Sequence, residues 1–352
     1  MKQLPVLGAR RRRSLGPVLV ALLALGGCAA SSSGSATQQG TEPSTGGSGS
    51  QQGGSSSGAN GGSGATGDIQ VALGGSNGQG VVDESPWPAP ECESVPSPGS
   101  VGAYCRGPAV DPDTPAAPAS EDSDQGGCGT TLWGIVRDFH NYDSVPDLGV
   151  DFNHYCCNLT PGMVADELGA DDKPVYTGAG ETSDPPMTTD QAHFDQWYRD
   201  VDGVNLPFYV AFHLAHTEGN TYTFAAADKD HQYFPLDEVG WGNEYMDHNY
   251  SFTTELHTRF VYQGGEVFTF TGDDDLWVFI NRKLAIDLGG IHIATTQTVD
   301  LDASAVELGL SIGGTYDLAL FGAERHLADS NFRVDTSLTF VNCGVTPPIV
   351  LK

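Results

Sequence analysis

The stretch that most limits what this chain can fold into covers residues 266–292, EVFTFTGDDDLWVFINRKLAIDLGGIH. Phe268 and Phe270 alternate with Thr269 and Thr271, and Leu276, Val278 and Ile280 alternate with Trp277 and Phe279. A period of two in β-branched and aromatic residues predicts a strand on each side of Gly272-Asp273-Asp274-Asp275, with a third strand after a short turn. The second strand is apolar on both faces, which predicts a place deep between two layers. Three consecutive carboxylates at its start repel one another, so they must splay into water, take up protons or hold a cation. Hard oxygens in a rigid turn suit calcium. Asp273, Asp274 and Asp275 are therefore the first candidate ligands.

Elsewhere the same periodicity predicts strands over 131–139, 208–214, 221–226, 257–262, 298–301, 315–321 and 332–340. In the last of these Phe332, Val334, Thr336, Leu338 and Phe340 share one face. One helix is expected within 185–201, capped by Thr188 with Gln191 as capping-box partner, and with Phe194, Trp197, Tyr198 and Val201 inward. Short strands separated by Gly, Asn and Asp turns predict a mainly β fold, an antiparallel β-sandwich with one or two short helices.

The front of the chain is organised differently. Residues 1–27 read as an export signal, with Arg10, Arg11, Arg12 and Arg13 preceding an apolar run too short to cross a bilayer. The run Leu25-Gly26-Gly27-Cys28 resembles a bacterial lipobox, which makes Cys28 the expected lipidation site; the alternative is an ordinary signal with an incidental cysteine. Residues 28–83 are a Ser/Gly/Gln-rich disordered tether, and 84–128 a Pro-rich acidic neck. The folded domain is expected over 129–343, with a short tail at 344–352. Cys92, Cys105, Cys128, Cys156, Cys157 and Cys343 predict disulfides in an exported chain. Cys156 and Cys157 are expected to staple two different segments rather than each other, and Cys343 to tie the C-terminal end to the front of the domain.

The formal charge of −29, from 45 acidic and 16 basic residues, excludes nucleic acid as a partner, because its recognition needs a basic footprint. It fits an extracellular, cation-rich setting. No enzyme is expected. Gly309-Leu310-Ser311-Ile312-Gly313 fits the nucleophile-elbow spacing, but a strand follows it, and Gly54-Ser55-Ser56-Ser57-Gly58 in the tether fits equally well. His213 and His216, three apart in a strand, face opposite ways. Trp241 can stack on a sugar ring or simply anchor its loop.

FTGDDDLWVFINRKLAIDLGGIH and LFGAERHLADSNFRV resemble the bacterial fibro-slime domain. So do LWGIVRDFH at 132–140, KPVY at 173–176, FDQWYRD at 194–200, YFPLD at 233–237 and HNYSFTTELHTRFVYQGG at 248–265. The resemblance covers about 130–340. That domain is similar, more distantly, to the PA14 β-sandwich, so the resemblance implies a PA14-like fold. In calcium-dependent relatives of the flocculin type, two consecutive Asp residues joined by a cis peptide hold calcium, which holds sugar hydroxyls; a later Asn and loop carbonyls complete the shell. Carried over by motif, the pair is Asp273 and Asp274, and Asn331 is the later Asn, with Asp329 and Glu324 as competitors. Asp275 stands where PA14 sequences commonly carry Gly. Asp287 is a further candidate ligand or a turn former. Glu324, Arg325, His292, His326 and Trp241 are the residues expected around the ligand, His292 and His326 hydrogen-bonding to the carboxylates.

The function implied is a surface-anchored, calcium-dependent (Ca2+) carbohydrate-binding adhesion lipoprotein that recognises extracellular polysaccharide or glycoconjugate. Its only membrane contact would be the N-terminal lipid, and Ala29 after Cys28 favours the bacterial outer membrane. The alternative is a structural or protein-binding surface module in which calcium only rigidifies the corner.

Overall fold

A computed structural model describes residues 93–94, 99–111 and 130–344. The export signal, Cys28, the tether, Cys92 and Cys128 lie outside the described residues. In chain order the longer strands are β1 (Ala103–Ala109), β2 (Thr131–Phe139), β3 (Asn205–His213), β4 (Tyr222–Asp228), β5 (Phe252–Val261) and β6 (Val267–Gly272). They continue with β7 (Asp275–Ile280), β8 (Lys283–Leu288), β9 (Thr295–Asp300), β10 (Thr315–Glu324), β11 (Phe332–Thr336) and β12 (Thr339–Asn342). All the strand pairs are antiparallel. One sheet runs β1-β3-β2-β5-β10-β7-β8, with β12 also on β5, and the other runs β9-β6-β11-β4. The expected antiparallel two-sheet fold is what the chain adopts.

The period of two explains β6. Phe268 and Phe270 are buried in the main core, whereas Thr269 and Thr271 face outward and meet the hydroxyls of Thr298 and Thr296 at 2.9 and 2.8 Å. Every residue of β7 is buried. Leu276, Val278 and Ile280 enter the main core. Trp277 and Phe279 enter a second cluster with Phe152, Phe194, Trp197 and Tyr198. A third layer, built from the turns and short helices between β2 and β3, thus covers the other side of β7. Each large apolar side chain so buried contributes roughly 1.5–3 kcal/mol.

The helix forecast was too long and wrongly capped. The α-helix here, α1 (Gln191–Phe194), is a single turn whose cap is Asp190, accepting from the His193 N–H at 3.0 Å. Thr188 is buried and its hydroxyl meets Tyr176 Oη at 2.5 Å. Phe194, Trp197 and Tyr198 are buried as expected. A helix the periodicity missed, α2 (Leu301–Leu308), follows β9; Asp300 caps its start and Gly309, at φ 73°, ends it. The run 332–340 breaks in two because the chain changes sheet: β11 pairs with β6, β12 with β5. Its alternation survives, since Phe332, Val334, Thr336, Leu338 and Phe340 all stay buried.

The sheet begins earlier than residue 129. β1, within the expected neck, pairs with β3, and Tyr104, only 2% exposed, packs edge-on to Phe224 and Tyr233. Cys156 and Cys157 sit side by side across a cis peptide. Their loop is pinned at both ends, by Asn153 N–H to Arg325 O at 2.7 Å and Thr160 N–H to Gly289 O at 2.5 Å. Cys105 and Cys343 are in disulfides. The C-terminal end does return to the front of the domain: Trp133 N–H donates to Cys343 O at 2.7 Å.

Beneath the third layer lies a buried ion network. Arg137 Nη1 donates to Glu255 at 2.7 Å and its Nε to Asp200 at 2.8 Å; Lys173 pairs with the other oxygen of Glu255. Burial works against the charge on Glu255, but Lys173 and Arg137 outweigh it and hold its pKa well below the usual range. Removing one member strands the others in a low-dielectric interior. Glu255→Gln should therefore lower unfolding free energy by about 3–5 kcal/mol in urea denaturation; a loss under about 1 kcal/mol, the size of an ordinary exposed pair, would show that the network is not needed.

Candidate metal centre

The acidic corner is the point at which the chain crosses from one sheet to the other, leaving β6 at Gly272 and entering β7 at Asp275. Two registers fill it. Gly272 faces Phe332, which sets Asn331 beside Asp273, and Asp275 faces Ala323, which sets Glu324 and Arg325 alongside the crossing. A Cβ on Gly272 would lie 2.5 Å from Asn331 O, so only glycine permits this approach. Asp274 stands at φ 52°, a left-handed conformation Asp tolerates better than most residues. The Asp273–Asp274 bond is not cis; the cis peptides of the described residues are Cys156–Cys157 and Asp184–Pro185.

The three aspartates do different things. Asp273 accepts from Asn331 N–H at 2.6 Å and from Asn331 Nδ2 at 2.8 Å. Burial pushes its carboxyl up to about 6, against those two donors. Asp274 accepts from Arg325 N–H at 2.8 Å, and its own N–H donates to His292 O at 3.3 Å. Burial, then the charge of Asp273, holds its pKa well above the usual range. Asp275 is committed to structure. Its Oδ2 accepts from Arg325 Nε at 2.7 Å and forms an ion pair with Nη2 at 2.5 Å, and its Oδ1 accepts from Gly290 N–H at 2.6 Å. The expected third aspartate ligand is thus the partner of a fully buried arginine. Arg325 also donates to Asp151 O and Met187 O at 3.1 and 2.7 Å and lies 4.6 Å from the Trp197 ring centre.

Glu324 takes the place that Asp275 leaves. It is 6% exposed, and its Oε1 has no hydrogen-bond partner. Burial, then Asp274, then Asp273, raises its pKa well above the usual range. Asp273, Glu324, Ser330 and Asn331 line one cavity of about 20 Å³. A cavity needs roughly 10–15 Å³ to hold a water-sized guest, so this one takes a water or a small ion and no sugar. Asp275 also lines this space, with its charge answered by Arg325; Asp273 and Glu324 are the lining carboxyl groups without such a cation, Asp274 lies close enough to raise the pKa of Glu324, and Asn331 can turn its amide oxygen toward the space. The carboxyl groups are not drawn tightly together: among the described residues, the trio of potential metal-ligand atoms within 4.8 Å of one another is that of Cys156, Cys157 and His326.

Other expected site residues are occupied elsewhere. Asp287 accepts from Gly162 N–H at 2.6 Å, Trp277 Nε1 at 3.0 Å and Gly289 N–H at 3.2 Å. It clamps a loop to the β7–β8 hairpin and is no ligand of the corner. The His292 ring meets the carbonyls of Ile293 and Leu288, not a carboxylate; only its backbone O reaches Asp274. His326 lies by the two cysteines, and burial with the nearby Arg325 charge lowers its pKa. Asp329 is exposed and accepts from Gln232 Nε2 at 2.8 Å. Trp241 is a loop anchor: its ring stacks on His140 at 4.3 Å and its backbone N–H donates to buried Asp138 at 2.6 Å. Sequence reasoning missed the Asp275–Arg325 pair. Its signal was an arginine two residues after the apolar run Leu318–Ala323.

Fold and site define a two-sheet antiparallel β module with a carboxylate-lined crossing. No family model matches the chain. Its curated relatives include two Dictyostelium discoideum proteins. Protein psiD is 36% identical over 233 residues, 60% of this chain and 44% of psiD, and protein psiR is 35% identical over 223 residues, 58% of this chain and 22% of psiR. The chain spans less than half the length of either relative. Among solved structures it is similar to a PA14 sugar-binding domain from an RTX adhesin, at 9% identity and a TM-score of 0.24, over 62% of this chain and 99% of that one. The PA14 domain of the antifreeze protein MpAFP gives 10% identity and a TM-score of 0.24, over 65% and 93%. Likeness of that size carries no functional argument.

Two outcomes follow from the site's wiring. Arg325→Met leaves Asp275 buried and unpaired, and should cost about 3–5 kcal/mol in denaturant unfolding; adding Asp275→Leu should recover part of that loss, so the two changes are not additive. The second concerns pH. Burial raises the Asp138 carboxyl from about 3.8 to about 7. The folded state therefore holds this proton more tightly than the unfolded one, and the stability it contributes is complete below about 3.8 and lost as pH rises through about 7. The melting temperature should fall across that window, and Asp138→Asn should flatten the fall; an unchanged slope would assign it to other groups.

Proposed function

We propose that this chain is an extracellular adhesion module that binds polysaccharide or glycoconjugate, with one calcium ion held at the sheet crossing by Asp273, Asp274 and Glu324 and by the Asn331 amide. The observation that carries the cation is the unpartnered, buried Glu324 oxygen facing a space it shares with Asp273 and Asn331. Burial raises the pKa of all three carboxyl groups, Asp273 raises that of Asp274, and Asp274 and Asp273 raise that of Glu324; a divalent cation relieves both the repulsion and the burial cost. All-oxygen donors of this kind suit calcium.

The carbohydrate part rests on the motif resemblance to the fibro-slime and PA14 domains. The ion-sized cavity excludes a sugar from the interior, so the saccharide would meet the ion from the half-buried Asp273 side, beside the loops at 288–294 and 326–331. The module binds and does not catalyse. Lipidation at Cys28, with the 28–83 tether, would hold it at a bacterial outer membrane; no helix of the described residues is long and apolar enough to cross a membrane.

The structural alternative, in which the ion only stiffens the crossing, is favoured by one observation: Asp274 and Glu324 are almost fully buried, which limits direct contact between ion and saccharide. One experiment separates the readings. The protein is run on a glycan array in calcium and in chelator, beside thermal melts under both conditions. A calcium-binding site filled at about 100 times Kd should stabilise the fold by about 2.7 kcal/mol, and Asp274→Asn should abolish that gain. Glycan binding that needs calcium supports the full proposal; calcium stabilisation with no glycan bound supports the structural alternative. No stabilisation by calcium sinks both.

A further inference from the structure

Two stretches of the third layer, 141–143 and 152–155, are zipped together beside the crossing. Tyr142 N–H donates to Phe152 O at 2.8 Å, and Asn153 Nδ2 donates to Asp143 at 2.8 Å. Asn153 N–H reaches Arg325 O at 2.7 Å, and Arg325 N–H holds Asp274. One residue therefore joins this zipper to the acidic corner. Phe152 turns inward and stacks on Phe139 at 4.4 Å, whereas His154 is exposed. Its ring lies between two others, Tyr142 at 3.8 Å and 7° between planes, and Tyr155 at 4.4 Å and 27°. His154 Nδ1 donates to Val150 O at 2.8 Å, which leaves Nε2 as the acceptor nitrogen. Tyr155 Oη meets Thr189 Oγ1 at 3.0 Å. The three rings are thus ordered in advance while Tyr142 and Tyr155 stay half-buried, so a ligand meeting them is spared the entropy of arranging them.

We propose that the Tyr142–His154–Tyr155 stack is a second sugar subsite, taking the pyranose next to the one held at the crossing. The inference rests on the adhesion reading above. A pyranose is amphipathic like the rings themselves: its C–H faces pack on aromatic surface while its hydroxyls reach polar tips such as His154 Nε2. Charge selects the class of sugar. Asp143 and Asp147 are exposed and Asp190 is half-buried next to Thr189, so carboxylates flank the stack and repel uronate or sulfated sugars. The subsite takes an uncharged pyranose.

The test applies the full chain, in calcium, to an array carrying glucan, mannan and galactan fragments beside uronate and sulfated ones, with thermal melts of each variant with and without calcium. Tyr142→Ala and His154→Ala should each weaken binding to uncharged glycans about tenfold and leave the calcium-dependent rise in melting temperature unchanged. Tyr142→Phe keeps the ring and should stay within about threefold of the unmutated chain. Asp143→Asn keeps an oxygen for Asn153 and removes a charge, so the preference for uncharged over acidic glycans should narrow about threefold. Undiminished glycan affinity in both alanine variants would overturn the subsite and leave the adhesion reading standing. Equal losses in Tyr142→Phe and Tyr142→Ala, a preference for acidic glycans in the unmutated chain, or unaltered selectivity in Asp143→Asn would overturn it too. No glycan bound by the unmutated chain would sink the adhesion reading and this inference with it.

Discussion

One buried ion pair, Asp275 with Arg325, ties together parts of the molecule that nothing else joins as directly. Arg325 directly follows β10, one of the two ten-residue strands of the larger sheet, and its guanidinium reaches Asp275, two carbonyls of the third layer and the face of Trp197. Its backbone reaches Asp274 on one side and Asn153 on the other. Burial alone works against a charge there, and the carboxylates of Asp275, Asp151 and Asp274 outweigh it. An isolated pair of this kind contributes little net stability. Here it fixes which carboxylates of the corner are neutralised by protein and which are left to an ion.

That division explains the chemistry of the crossing. Of three consecutive aspartates, the one with an internal cation becomes structural, and the two without one, joined by Glu324, form the repelling set. A second buried network, around Arg137, Lys173 and Glu255, closes the other side of the same layer. Tyr198 lies between the two: its hydroxyl has no hydrogen-bond partner, and burial, then the charge of Asp275, raises its pKa well above the usual range. The third layer is therefore held by charge at its base and by aromatic packing above it.

Much of the fold was legible in the sequence because strands write themselves in alternation. β2 was predicted with its observed bounds, and the double-faced apolar pattern of β7 correctly foretold layers on both sides. Elements failed where local cues were shared or weak. The 332–340 run kept its inward face while changing sheets, and periodicity reports the face, not the partner. α2 has only Leu301 and Leu308 buried, too sparse an apolar stripe to register. At the site, sequence chemistry picked out Asp273 and Asp274, the family resemblance pointed to Asn331 with Glu324 as a competitor, and the strand registers place these residues at one crossing. It could not tell that Asp275 and Asp287 are consumed by Arg325 and by backbone N–H groups, because those partners lie far away along the chain and only pairing of strands reveals them.

The return of the C-terminal end to β2 has a mechanical consequence. Trp133 is bridged to Gly344 and hydrogen-bonded to Cys343, so the start of β2 and the residues just after β12 are held against each other. Tension applied between residues 133 and 344 would act across a few ångströms of one sheet and bypass the crossing, the ion networks and the aromatic layer.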